Sequence, residues 1–298
     1  VRRASRYAKL AVSAATFAVQ DSPCMQGLGG ADVGTVLATG YGAVESTVQF
    51  TATGLRGNPA KCSPIVFAAT VPNSAVGQIC MVHGFTGAST QLIGGDPLEY
   101  AALLVQGGRA KAVLAGAVEE YNGDLASSLH TAGALGGAVL SEGAAVLVLS
   151  AEQREESWCR TAGFASVALP ASPYAHVLSA EEQAQCSALM AQTLRALGKT
   201  PDLVLTAQNG GQLDGAEAAS VAQAFGTGTP TFAYKRLFGE CLGAGYMQGA
   251  ALAAAMLKTG SCACIQSGVP TRGLHTVCVS GIDAQGNYMV ALFESAAQ

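Results

Sequence analysis

Lys235-Arg236-Leu237-Phe238-Gly239-Glu240-Cys241-Leu242-Gly243-Ala244-Gly245 separates two apolar segments of opposite character. Residues 231–234 before it are β-branched and aromatic, the composition of a strand, and residues 243–257 after it form a helix of very small side chains. The alternation continues outward in both directions. Downstream, residues 263–267 read as a strand, and residues 275–280 and 288–293 as a hairpin whose turn holds Asp283 and Gly286. Upstream lie a helix at 216–225, a Gly-rich turn, a strand at 203–206 and a helix at 180–197. Strands alternating with amphipathic helices predict an α/β fold of parallel sheets covered by helices on both faces.

A linker rich in Ser, Ala and Pro near residues 166–174 precedes this region, and the chain before it follows the same theme. The expected halves are residues 1–160 and 161–298. The first half opens with a helix at 5–20, where Leu10, Ala11, Ala14, Ala15 and Ala18 recur at helical spacing. A strand at 34–39 is broken by Gly40, Tyr41 and Gly42. Pro72-Asn73-Ser74 offers cap chemistry for a buried helix over 76–82, and a strand follows at 90–93. Asp96 caps the next helix with Pro97 in its first turn, so that Leu98, Ala101, Ala102 and Val105 point inward. Residues 112–117 and 144–149 are continuous apolar runs, the pattern of strands buried on both faces.

Composition excludes several classes of function. The 298 residues are 50% hydrophobic, enough for two fused half-domains of about 150 residues. A charged content of only 12% beside 37 Gly suits a tightly packed α/β protein with surface left for a partner to cover. A net charge of -4 with no run of Lys or Arg lacks the electrostatic footprint of a nucleic-acid binder. The longest apolar runs fall well short of the roughly 20 residues that cross a bilayer. Lys9 interrupts the segment after Arg2 and Arg3, which disfavours a signal peptide and points to the cytoplasm. Nine Cys with four His, and one C-x-C pair at Cys262 and Cys264 without a second, predict no metal site, no cofactor and mostly buried thiols.

Several segments, in order along nearly the whole chain, resemble the β-ketoacyl synthases of the thiolase superfamily. Arg2-Arg3-Ala4-Ser5-Arg6-Tyr7-Ala8-Lys9-Leu10-Ala11 is similar to that family's first helix, and Thr39-Gly40-Tyr41-Gly42 to its strand-to-helix turn. Ser63-Pro64 followed by Val71-Pro72-Asn73 and Gly77 resembles the stretch lining its dimer interface. Leu114-Ala115-Gly116-Ala117-Val118-Glu119 and residues 142–149 are similar to two core strands. The opening stretch from Lys235 to Gly245 resembles the Lys-Ser-x-x-Gly-His-x-Leu-Gly-Ala motif, with Glu240 where the family has His. The resemblance implies a thiolase-like, layered α-β-α-β-α fold built from two similar halves with mostly parallel mixed sheets. It also implies that the family's opening strand is missing, leaving a sheet edge open.

A working synthase of this family uses a Cys at a strand-to-helix elbow, where the helix N-terminus lowers the thiol pKa, and two His that stabilise an enolate. The elbow here lies between Gly87 and Ala101 and contains no Cys. Two registers are open: Asp96 stands at the elbow if the strand is kept intact, and Gln91 if a gap falls earlier. Gln208 matches the first His, Glu240 the second, and Lys235 the motif's Lys. Asp214-Gly215-Ala216-Glu217-Ala218 resembles the Asp-x-Ala-Glu-Ala of polyketide chain-length factors. His83, which lies in an apolar segment, His130 and His176 in loops and His275 at the final hairpin all lie away from these positions. A Glu carboxylate repels a developing enolate, so Gln and Glu cannot replace two imidazoles.

The expectation is therefore a non-catalytic, chain-length-factor-like subunit. Its partners would be a catalytic β-ketoacyl synthase subunit, in a heterodimer or a higher oligomer, and an acyl carrier protein. Val66 matches a position where synthases place a bulky aromatic facing the neighbouring site, and Phe67 beside it can act instead. The bland alternative makes both ordinary core or strand residues. Pro72 and Asn73 fall at the interface, and the short loops favour a polyene or fatty-acid-like product. A malonyl-ACP decarboxylase with Gln in place of Cys is the alternative, weakened because that chemistry keeps both His. An acyltransferase using Cys241 is a third, opposed by Glu240 beside the thiol.

Overall fold

The computed structural model describes residues 4–56, 59–152, 154–261 and 273–296. The strand expected at 263–267 and the pair Cys262 and Cys264 lie outside the described residues. Contacts divide the chain into two compact units, Val1–Ser127 with Ser141–Glu152, and Ser128–Leu140 with Gln153–Gln298.

The first unit carries a four-stranded sheet in the order β2-β1-β3-β4. Its strands are β1 (Val33–Thr39), β2 (Ser89–Ile93), β3 (Ala112–Glu119) and β4 (Gly143–Ser150). β1 pairs in parallel with β2, Thr35 opposite Ser89, and with β3, Val33 opposite Ala112. β4 runs antiparallel to β3, Ala112 opposite Ser150. Every residue of β1 and of β3 is buried, as continuous apolar runs require when both faces of a strand are covered. Leu114 and Val118 pack with Tyr7, Ala8, Ala11 and Val12 of helix α1 (Arg6–Gln20) and with Val76 and Ile79 of helix α4 (Ser74–His83). Helix α5 (Pro97–Gln106) also lies against this sheet.

Local signals set most of these boundaries. Ser5 Oγ accepts from Ala8 N to open α1, and Asp96 Oδ1 accepts from Leu98 N at 2.8 Å and Glu99 N at 3.1 Å to open α5 with Pro97 at its first position. Three expectations need correction. β4 is half-buried along its whole length rather than enclosed, because it is the edge of its sheet and among the described residues no strand lies beyond it. Asn73 stands at the cap position of α4 but its side chain makes no capping bond, its backbone being already helical at φ -71 and ψ -2. His130 sits in the last turn of helix α6 (Gly123–Thr131), not in a loop. The unit also holds helices α2 (Val44–Leu55) and α3 (Pro64–Thr70), α3 being opened by Ser63 and Pro64.

The second unit holds a five-stranded sheet in the order β5-β9-β8-β6-β7. The strands are β5 (Cys159–Ala168), β6 (Leu203–Thr206), β7 (Thr231–Ala233), β8 (Thr276–Ile282) and β9 (Asn287–Ser295). β6 is parallel to β7 and β8, and β9 is antiparallel to both β8 and β5. Taken from the β2 and β7 edges, the two sheets share one pattern: parallel neighbours around β1 and β6, then an antiparallel strand, with β5 as the extra strand of the second. The linker expected at 166–174 is therefore strand as far as Ala168. β5 escaped sequence reading because its half-buried residues neither alternate cleanly nor run apolar, and a register shift near Gly163 breaks its period. Helices α7 (Ala180–Arg195), α8 (Asp214–Phe225), α9 (Lys235–Phe238) and α10 (Gly245–Thr259) accompany this sheet. Among the described residues no single helix is long and apolar enough to cross a membrane.

The small residues of α10 and β8 are dictated by close approach. A Cβ at Gly249 would sit 2.9 Å from the Tyr234 ring and from Val279, and one at Gly281 would sit 2.5 Å from Tyr246. Overpacking of this kind costs about 1–3 kcal/mol. Gly249→Ala and Gly281→Ala are each expected to lower unfolding free energy by that amount, read from urea midpoints at unchanged slope.

Candidate functional site

In the second unit, β6 delivers the chain at Thr206 into a turn that is held from the following helix. Asp214, at the start of α8, accepts from Asn209 N at 3.1 Å and Gly210 N at 2.9 Å, while Gly210 takes the left-handed φ of +88 that such a turn needs. Gln212 fastens the same turn to the preceding loop, donating to the carbonyls of Pro173 and His176 and accepting from Leu178 N. Asn209 is left with its side chain pointing across the turn: Oδ1 accepts from Gly211 N at 2.7 Å and Nδ2 donates to Glu240 Oε2.

Glu240 comes from the stretch that follows β7. Lys235 opens α9, Gly239 turns the chain at φ +77, and Glu240 is fully buried beyond it. Lys235, 4% exposed, places its ammonium 2.7 Å from Glu240 Oε2. Glu240 Oε1 accepts from Leu242 N at 2.7 Å, and Glu240 N donates to Val139 O. Leu242 has a φ of +46, the one positive value outside glycine among the described residues. That conformation costs about 1–2 kcal/mol for a residue with a Cβ and persists where neighbours impose it, here through the carboxylate gripping its N–H.

Each oxygen of Glu240 is thus occupied by donors, and the group itself can only accept. Two imidazoles would act as donors toward a developing oxyanion; an ionised Glu ion-paired to Lys235 presents no proton there. The adjoining cavity, bordered by Asn209, Asp214, Glu217, Lys235 and Tyr174, has a volume of about 20 Å³, which is room for one water. No His borders it. Among the described residues no group of three His, Cys, Asp or Glu is arranged to hold a metal ion.

The residues singled out in the sequence fall as follows. Lys235 and Glu240 meet directly. Gln208 does not meet Glu240; its amide donates to Asp214 O at 3.4 Å, and the neighbouring Asn209 makes the contact instead. The strand-to-helix elbow of the first unit is Gly94, Gly95 and Asp96, with the two glycines at φ +73 and +85. Asp96 is the helix cap there, while Gln91 lies inside β2 and donates to Leu37 O at 2.9 Å. Val66 and Phe67 are neither strand nor core. Both lie on α3, Val66 half-buried and Phe67 57% exposed, its ring 5.3 Å from that of Phe50. Pro72 accepts from the Tyr7 hydroxyl through its carbonyl, and Asn73 is exposed. Cys241 is fully buried, with Gln248 Nε2 3.2 Å from its sulfur, which leaves it no access to an acyl thioester. His83 is bonded to Thr16 and His176 to Glu182.

Sequence reasoning missed Asn209 and Ser280. Asn209 was one residue from the position chosen, and only the Asp214 bonds reveal which side chain the turn sends inward. Ser280 Oγ lies 2.5 Å from Glu217 Oε1, a contact across 63 residues that no local pattern signals.

Removing one member of a buried ion pair costs about 3–5 kcal/mol, because the other charge is left uncompensated, whereas replacing both by apolar groups is near neutral. Lys235→Met alone should destabilise the chain by that amount. The double variant Lys235→Met with Glu240→Leu should recover most of the loss in the same denaturation measurement, and failure to recover would show that the pair does not act as a unit.

No family model matches the sequence, and no curated protein does. Solved structures do share its fold. The ishigamide ketosynthase/chain length factor superposes with a TM-score of 0.75 at 22% identity, over 99% of this chain and 82% of that one. A type II polyketide synthase acyl-carrier protein in complex with its ketosynthase bound to the hexaketide gives 0.77 at 17% identity, over 99% and 85%. A β-ketoacyl synthase from Burkholderia phymatum STM815 gives 0.77 at 18% identity, over 99% and 84%. At these identities the likeness is one of fold, and the chain has the thiolase-like α/β fold that these ketosynthase and chain-length-factor structures share.

Proposed function

We propose that this chain is a non-catalytic, chain-length-factor-like subunit that pairs with a catalytic β-ketoacyl-ACP synthase. It would close the far end of the partner's acyl tunnel while the pair elongates a polyketide, of polyene type, or a fatty-acid-like chain on an acyl carrier protein. The observation that carries this reading is the saturation of Glu240. At the position matching an imidazole donor, the chain holds a buried carboxylate whose oxygens are taken by Lys235, Asn209 and Leu242 N. Decarboxylative Claisen condensation needs a thiolate to carry the acyl group and donors to stabilise an enolate. Cys241 is sealed in the core and Glu240 adds negative charge, so both requirements are left to another polypeptide. A fold shared with a ketosynthase/chain length factor, and with a ketosynthase in complex with its acyl-carrier protein, agrees with partners of this kind.

The same electrostatics weigh against a self-sufficient malonyl-ACP decarboxylase, which would need donors where Glu240 stands. Carbon dioxide released from malonyl-carrier by the isolated chain would displace the subunit reading.

Co-expression with the synthase encoded beside it should yield one stable complex burying about 2,000 Å² or more. A chain that stays monomeric in its presence would remove the proposal. Within the complex, Val66→Trp and Phe67→Trp should shorten the products by filling tunnel volume. Product lengths unchanged by both variants, in a complex that still forms, would take α3 out of the gate.

A further inference from the structure

The Lys235–Glu240 pair is satisfied from one side only. Glu240 accepts from Lys235 Nζ, Asn209 Nδ2 and Leu242 N, so both of its oxygens are occupied. An ammonium brings three protons and accepts none. Among the described residues Glu240 Oε2 is the one acceptor that Lys235 Nζ reaches, at 2.7 Å. The Lys235 side chain is 1% exposed, so bulk water does not take the two protons that remain.

Glu217 on α8 has the complementary shortage. It is buried, and its Oε1 accepts from Ala207 N at 3.1 Å and Ser280 Oγ at 2.5 Å, but among the described residues no donor reaches its Oε2. A buried ion pair is favourable only when the protons and lone pairs it does not share are met as well. Here a donor with protons to spare and an acceptor with an oxygen to spare border the same cavity, and every residue lining that cavity belongs to the second unit.

The cavity selects its ligand. At about 20 Å³ it takes one molecule of the size of water and excludes an acyl chain. A cation would stand beside the Lys235 ammonium, and an anion beside Glu217 and Asp214. An apolar guest would leave the same protons unmet. What remains is a small neutral molecule that both accepts and donates. We propose that this cavity is a binding site for one water molecule, which accepts from Lys235 Nζ and donates to Glu217. The ammonium then serves two acids, Glu240 directly and Glu217 through the water. The side chains alone require this water, whichever partner the chain takes.

A crystal structure of the full chain, at a resolution that shows ordered solvent, tests the site. It should hold one water at hydrogen-bond distance, about 2.7–3.2 Å, from both Lys235 Nζ and Glu217 Oε2. No density there, or a water that misses either side chain, would overturn the proposal. Lys235→Met with Glu240→Leu removes the donor and its counter-ion together, so the same density should disappear. A water that persists in this double variant is not held by Lys235, and the proposal would fall. Should the double variant not fold, solution spectra of the wild type with isotopically labelled lysine decide. Magnetisation should pass from water to the Lys235 ammonium protons with the sign of a long-lived contact, and its absence would equally overturn the proposal.

Discussion

An ammonium and a carboxylate cannot be taken from water separately, and Lys235 and Glu240 are taken together. Much of the second unit's local structure follows from keeping that pair satisfied. Glu240 must be reached by Lys235 five residues earlier, which the short α9 and the left-handed Gly239 allow. Its second oxygen must find a donor, and it takes the N–H of Leu242, holding that residue in a conformation it would otherwise avoid. The chain then turns through Leu242–Ala244 directly into α10. The pair also draws in Asn209, which ties the turn after β6 to the turn after β7.

The helix that begins there lies close to the sheet because its contact residues are small. Gly249 leaves the Tyr234 ring and Val279 just enough room, and Gly281 does the same for Tyr246. Tyr234 then donates to Ser280 O at 3.1 Å. Small residues on α10 and β8 therefore do more than fill space. They hold Ser280 between Leu205 and Glu217, so the packing of the helix and the hydrogen bonding of the buried acids are one arrangement.

Much of this was legible in the sequence, and the failures have physical causes. Strand β6 and the helices α1, α5, α7 and α8 were recovered closely, from apolar spacing in the helices, from Asp96 with Pro97 at the start of α5 and from a continuous apolar run in β6. β4 had the same apolar run as β3 yet sits at an edge, since composition does not say which side of a strand has a neighbour. β5 alternates only on either side of a register shift near Gly163, and its pairing with β9 spans more than a hundred residues. At the site, one motif drew attention to Lys235 and Glu240, but the ion pair between them is a contact the motif does not signal. Asn209 was displaced by a residue, because a Gly-rich turn gives no periodicity from which to infer where a side chain points.

Glu240 is what makes a buried Lys235 tolerable. An apolar residue of similar volume at position 240 would leave Lys235 buried and unpaired at a cost of several kcal/mol. Glu240 instead neutralises Lys235 and accepts from Leu242 N, so the position holds a polar framework made of acceptors. Its charge fixes two turns and a helix start. Because the hydrogen bonds of Glu240 close among residues of the second unit, the turn after β6, the turn after β7 and the start of α10 are fixed against one another by a single side chain.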